Sequence, residues 1–202
     1  FASSLADFVA LAITASDRRQ AEERFRQLAN YDRLTGLPNR ALFMDRLTQA
    51  LSKARRSKQN VALLFIDVDR FKNINDSLGH HSGDTVLRTI GKRLLACVRA
   101  GDTVARLGGD EFTVILEECQ NLETITTICE RILESVTEPI LLGETEANLT
   151  CSIGLSLCPG DGQDADVLLQ NADIAMYKAK KDKSTRYWLF RPNMEGQSTR
   201  AL

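Results

Sequence analysis

Residues Val61 to Val68 are almost wholly apolar on both alternating sets of positions and end in Asp67-Val68-Asp69. A strand that is apolar on both faces must be covered on both. The rest of the chain therefore has to supply layers above and below it. Four helical stripes meet that need: Leu42, Phe43, Leu47, Leu51 and Ala54 behind a cap at Asn39; Val86, Leu87, Ile90, Leu94 and Val98; Leu122, Ile125, Ile128, Ile132 and Val136; and Leu168, Ala172, Ala175, Met176 and Ala179.

Between the second and third stripes, Thr103–Leu107 and Phe112–Leu116 read as two strands, and the link containing Gly108, Gly109, Asp110 and Glu111 reads as a tight hairpin. Glycine permits positive φ at such a tip and leaves room for a ligand beside the backbone. Further on, Leu149, Cys151, Ile153, Leu155 and Leu157 alternate with Thr150, Ser152, Gly154 and Ser156, which predicts a half-buried strand with one small, polar face. Arg186–Phe190 can add an edge strand. The central order is strand, helix, hairpin, helix, strand. That is the β-α-β-β-α-β arrangement of ferredoxin-like sheets, so the expected fold is mixed α/β (α+β), with a central, mostly antiparallel sheet flanked by helices.

Composition narrows the function classes. The chain has 202 residues, 43% hydrophobic and 26% charged, enough for one globular unit with its own core. A net charge of −1 gives no overall basic field for nucleic acid, so a polyphosphate ligand would need local cations or a metal. Five cysteines, at 97, 119, 129, 151 and 158, form no Cys-x-x-Cys pair; reduced, mostly buried thiols and a cytoplasmic location are expected. Residues 1–30 carry a helical stripe, read as a connector from an upstream module, that can pair with its copy in a dimer or dock as an ordinary helix. Asp7, Asp17, Arg18 and Arg19 interrupt it, so direct membrane insertion is not expected.

A ferredoxin-like sheet can bring the C-terminal end of the first strand close to the hairpin tip. Asp67, Asp69, Asp110 and Glu111 then become candidates for one acidic cluster. Carboxylates without histidine or cysteine partners suit Mg²⁺, which takes one or two carboxylates together with waters and substrate phosphates.

Five separated motifs carry a resemblance. They are Asp32-Arg33-Leu34-Thr35-Gly36-Leu37-Pro38-Asn39-Arg40, the run from Asp67 to Asp84, Arg106 to Phe112, Ser152-Ile153-Gly154, and Asn171 to Lys180. In this order they make residues 31–190 resemble the GGDEF domain of diguanylate cyclases. The connector over 1–30 resembles the closing helix of a GAF-type sensor, and the tail over 191–202 the lead-in to an EAL phosphodiesterase domain.

The resemblance implies a nucleotide-cyclase palm that joins two GTP molecules into cyclic di-GMP and releases two pyrophosphates, with two domains facing each other as a homodimer. It implies Mg²⁺ (or Mn²⁺) held by Asp67, the Val68 carbonyl and Asp110. Asp110 is also the candidate acceptor for the 3′-hydroxyl proton, and Glu111 beside it is a further ligand. Asn75 and Asp84 match guanine-reading positions, His80 a substrate-binding one, and Lys72 and Lys180 phosphate contacts, with Gly108 and Gly109 leaving room for the triphosphate. Arg99 and Asp102 match an Arg-x-x-Asp inhibitory site for the product.

One departure stands out. The family follows its Ala-Lys pair, after two residues, with Gly-Arg-Asn, whereas this chain has Lys183, Ser184 and Thr185. The usual phosphate-binding arginine is absent, so weaker triphosphate binding is expected unless Lys183 or Arg186 substitutes. A GTP-binding regulatory module that does not cyclise, or a structural dimerisation module, are the rival readings.

Overall fold

The computed structural model describes residue 25, residues 27–182 and residues 184–192. Of the connector expected over 1–30, residues 25 and 27–30 are helical and the remainder lies outside the described residues. The elements are α1 (Arg40–Ser57), β1 (Asn60–Val68), α2 (Phe71–Leu78), α3 (His80–Ala96), β2 (Thr103–Gly108), β3 (Glu111–Cys119), α4 (Leu122–Thr137), β4 (Ile140–Leu142), β5 (Thr145–Ala147), β6 (Cys151–Cys158), α5 (Ala165–Lys181) and β7 (Tyr187–Leu189). Asn39 caps α1 by accepting the Leu42 N–H at 3.1 Å, as its residue type predicts.

Five strands form one sheet in the order β2-β3-β1-β6-β7. β1 lies at the centre, antiparallel to β3 on one side and to β6 on the other, and only β7 runs parallel to its neighbour. The two-residue period of β1 explains the layers. Val61, Leu63 and Phe65 pack with Phe43 and Leu47 of α1 and with Leu168, Ala172 and Met176 of α5. Ala62, Leu64, Ile66 and Val68 pack on the other face with Val86, Ile90 and Leu94 of α3 and with Ile125, Cys129 and Ile132 of α4. The doubly apolar run is thus the floor of two cores.

The structure departs from expectation in three places. β6 is buried on both faces, because its small residues admit a helix rather than water. A Cβ on Gly154 would sit 1.9 Å from the Ala172 carbonyl oxygen and 2.1 Å from the Met176 nitrogen, and the Ser156 hydroxyl donates to the Leu168 carbonyl at 2.8 Å. The first crossover holds two helices, α2 and α3, broken at Gly79, where φ is +80°. A short β4–β5 hairpin precedes β6, with Gly143 between its strands. The edge strand lies where it was expected, at Tyr187–Leu189. All five cysteines are free thiols, and four are buried.

Candidate active site

The end of β1 and the tip of the β2–β3 hairpin meet at one edge of the sheet. Asp67 is the register partner of Glu111, and the Val68 N–H donates to the Asp110 carbonyl at 3.2 Å. The tip uses its glycines for backbone conformation: Gly108 has φ +153° and Gly109 φ +51°. No atom approaches either Cβ position within 4 Å, which leaves open space beside the turn.

Arg106 holds this tip. Its Nε and Nη2 donate to the Gly109 carbonyl at 3.1 and 2.7 Å, while Nη1 reaches both oxygens of Asp32 at 2.9 and 3.0 Å. Asp32 also accepts the Thr35 N–H at 2.9 Å and the Thr35 hydroxyl at 2.6 Å. Burial raises the Asp32 pKa, but the Thr35 bonds and the Arg106 guanidinium outweigh it and hold the carboxyl below its usual range. Both residues lie within the sequence motifs, where local spacing alone assigns neither a role.

The two aspartates ending β1 have separate partners. Asp67 is buried, and the Lys180 ammonium at the end of α5 lies 2.5 Å from its Oδ1. Desolvation pushes its pKa up; Lys180 opposes this, and the nearby Asp110 and Asp69 charges reinforce it. Asp69 instead accepts the Thr150 hydroxyl at 2.8 Å, the Ser152 hydroxyl at 2.9 Å and Arg186 Nη1 at 2.9 Å. The expected four-acid cluster is therefore smaller, because Asp69 is engaged by β6 and the chain leading into β7.

No three His, Cys, Asp or Glu among the described residues converge as a metal cage. Asp67 and Asp110 at adjoining strand ends, with the Val68 carbonyl beside them, fit a hard cation that completes its shell with water and phosphate oxygens. A cation already stands at Asp67 in the form of Lys180.

A second group lies at the α2–α3 junction. Asn75 is half-buried on α2, and its Oδ1 would lie 2.0 Å from a Cβ placed on Gly83. Only glycine lets the Asn75 amide rest against α3 there. Asp84 is the next residue, half-exposed, with Arg88 Nη2 at 3.9 Å. His80 begins α3 and Lys72 sits in the first turn of α2, both exposed.

Arg99 and Asp102 occupy the turn after α3. The Asp102 carboxylate is buried; it accepts the Arg99 N–H at 3.2 Å and the Glu117 N–H at 3.3 Å, and Arg99 Nε lies 3.4 Å away. Arg99 also donates to the Glu117 carbonyl. Beside them is a cavity of about 310 Å³ that Arg131 of α4 also lines, with its guanidinium on the Cys97 carbonyl. Arg131 carries no distinguishing signal in the sequence because it lies within the polar side of an amphipathic stripe. Lys183, at the departure from the Gly-Arg-Asn pattern, lies outside the described residues.

A central antiparallel sheet with acids at the meeting point of a strand end and a Gly-Gly hairpin defines a nucleotide-cyclase palm. Residues 29–186 match the family described as diguanylate cyclase, GGDEF domain, and the chain belongs to that family. It is 40% identical over 191 residues to the bifunctional diguanylate cyclase/cyclic di-GMP phosphodiesterase MucR of Pseudomonas aeruginosa, covering 95% of this chain and 28% of MucR. It is 45% identical over 154 residues to the diguanylate cyclase TpbB of the same species, covering 76% of this chain and 35% of TpbB. The chain thus spans about a third or less of these relatives. The solved GGDEF domain of TpbB aligns with a TM-score of 0.78 at 42% identity, over 82% of this chain and 97% of that one. The coiled coil and GGDEF domain of DgcB from Caulobacter crescentus, in complex with c-di-GMP, aligns with a TM-score of 0.79 at 28% identity, over 93% and 98%.

Proposed function

We propose that this chain is a metal-dependent diguanylate cyclase module that condenses two GTP molecules into cyclic di-GMP with release of two pyrophosphates. The observation that supports the reading is the strand register that sets the Asp67 end of β1 beside the Asp110-Glu111 hairpin tip, with Lys180 reaching Asp67 from α5.

In this reading each chain holds one GTP. Asn75 and Asp84 pair with the guanine edge, whose N1–H and exocyclic amine can both donate to a carboxylate; adenine would leave that carboxylate unpaired, so GTP is preferred. His80, at the start of the helix that carries Asp84, contacts the substrate, and Lys72 and Lys180 engage phosphate oxygens. Asp110 accepts the proton of the 3′-hydroxyl. The freed oxygen forms a bond to the α-phosphorus of the partner chain's GTP, the α–β bridging bond breaks, and pyrophosphate departs; the second step repeats this with roles exchanged. Mg²⁺ (or Mn²⁺), held by Asp67, Asp110 and the Val68 carbonyl with Glu111 beside them, would stabilise charge on the attacking and leaving oxygens. Attacking and attacked groups belong to different chains, so a homodimer is required.

Product inhibition belongs to the same proposal. Arg99 can donate two hydrogen bonds to guanine O6 and N7, and Arg131 across the same cavity adds a second guanidinium. The DgcB complex supports a place for the product on this fold. A cytoplasmic setting fits GTP as substrate, and no described helix is long and apolar enough to cross a membrane.

Purified protein given GTP and Mg²⁺, as isolated and as an enforced dimer, should form cyclic di-GMP, and Asp110→Ala should not. Serine at position 184 favours a second reading, a module that binds GTP without cyclising it. GTP binding without product in both formats would select that reading.

A further inference from the structure

We propose that Arg186 is the arginine that grips the terminal phosphates of the bound nucleotide, two residues beyond position 184, where the family places one. The inference rests on the GTP-binding reading above and adds a residue to it. A cavity of about 720 Å³ opens between the start of α2, the β5–β6 loop and the end of α5, and Arg70, Asn73, Lys180 and Arg186 all line it. Lys180 joins this cavity to the Asp67 end of the site. A polyphosphate extending from Asp67 therefore enters a space with three cations in its walls.

The acids on that wall are already satisfied. Asp182 accepts the Ser184 N–H at 2.8 Å and the Ser184 hydroxyl at 2.6 Å. Position 184 is thereby turned back onto Asp182. Asp69 has the Thr150 and Ser152 hydroxyls in addition to Arg186, so it keeps two donors when the guanidinium turns away. Arg186 has a half-exposed side chain with only Nη1 engaged, at 2.9 Å from Asp69. Its remaining donors have no protein partner among the described residues. A planar guanidinium with free parallel N–H groups is built for two phosphate oxygens at once, which an ammonium cannot match.

The ligand class follows from the charge. Three cations beside two hydrogen-bonded carboxylates suit a nucleoside di- or triphosphate, whereas a monophosphate, whose single phosphate ends at the Asp67 side, meets Lys180 and falls short of Arg186. Pairing with Asp69 is then the resting position of Arg186, which it leaves for the phosphates.

The test is a calorimetric titration with two probes in Mg²⁺: GMP and a non-cyclisable α,β-methylene analogue of GTP. Arg186→Ala should weaken the analogue about tenfold to a hundredfold, the range of one charge-assisted phosphate contact, and change GMP by less than about twofold. Arg186→Lys should fall between. Adding Ser184→Arg to Arg186→Ala should restore much of the analogue's affinity. Thermal unfolding of each variant verifies that the sheet is intact. Unchanged analogue affinity in Arg186→Ala overturns the proposal, and so does an equal loss for both probes, which would assign Arg186 to support of Asp69 alone. Wild-type protein that binds neither probe overturns the GTP-binding reading as well; binding of both without an effect of Arg186 overturns only this inference.

Discussion

Replacing Arg106 with alanine removes four hydrogen bonds at once, two to Asp32 and two to the Gly109 carbonyl. The side chains of the pair are 10% and 22% exposed, so water only partly replaces what is lost. Charged hydrogen bonds in such a setting are worth about 1.5–3 kcal/mol each before compensation, and breaking a buried pair costs about 3–5 kcal/mol. Partial exposure places the expected loss at about 2–4 kcal/mol. For a domain of this size that is a fall in Tm of roughly 4–15 °C.

Asp32→Asn keeps an acceptor for Thr35 and Arg106 but removes the charge, so about 1–2 kcal/mol is expected. Urea unfolding of wild type, Asp32→Asn, Arg106→Ala and the double variant gives the coupling, which should exceed about 1 kcal/mol. Because the Asp32 pKa is lowered by folding, its contribution is complete above the unfolded value of 3.8 and disappears as pH falls through the lower folded value. The gap between wild type and Asp32→Asn should therefore close only in that acid window. Additive single losses, or a gap that persists unchanged below it, would refute the clamp.

Gly83→Ala places a Cβ 2.0 Å from Asn75 Oδ1, a side chain that can swing aside. Its KM for GTP should rise about tenfold or more, as expected for a lost base contact, with little change in Tm. Asp67→Asn should abolish cyclase activity yet leave the metal-free protein as stable as wild type or more so in thermal unfolding, since burial makes the ionised carboxylate costly and the exposed Lys180 can reach water. Arg99→Ala and Arg131→Ala should each relieve inhibition by cyclic di-GMP in a product-titrated rate assay, with initial rates preserved.

The layers were legible in the sequence because β1 advertises both of its faces, with Val61, Leu63 and Phe65 on one and Ala62, Leu64 and Ile66 on the other. The second face of β6 was not, since Ser152, Gly154 and Ser156 have the composition of a solvated face and only the approach of α5 to Gly154 gives them another meaning. β4 and β5, at three residues each, are too short for a period-2 signal. Within the site, Asp67 and Asp69 look alike in one dimension. What separates them is Lys180, 113 residues away from the first, and Arg186, 117 residues away from the second. The Asp32–Arg106 clamp spans 74 residues and was hidden for the same reason: each partner's local spacing is explained by its own turn.

The most direct test of the cyclase reading is the stoichiometry of products from GTP and Mg²⁺ with the chain held as an enforced dimer. Chromatography of the nucleotides with a parallel pyrophosphate assay should give two pyrophosphates for each cyclic di-GMP, and neither product from Asp110→Ala. Bound GTP that remains unconverted, or conversion that proceeds equally without Asp110, would contradict it.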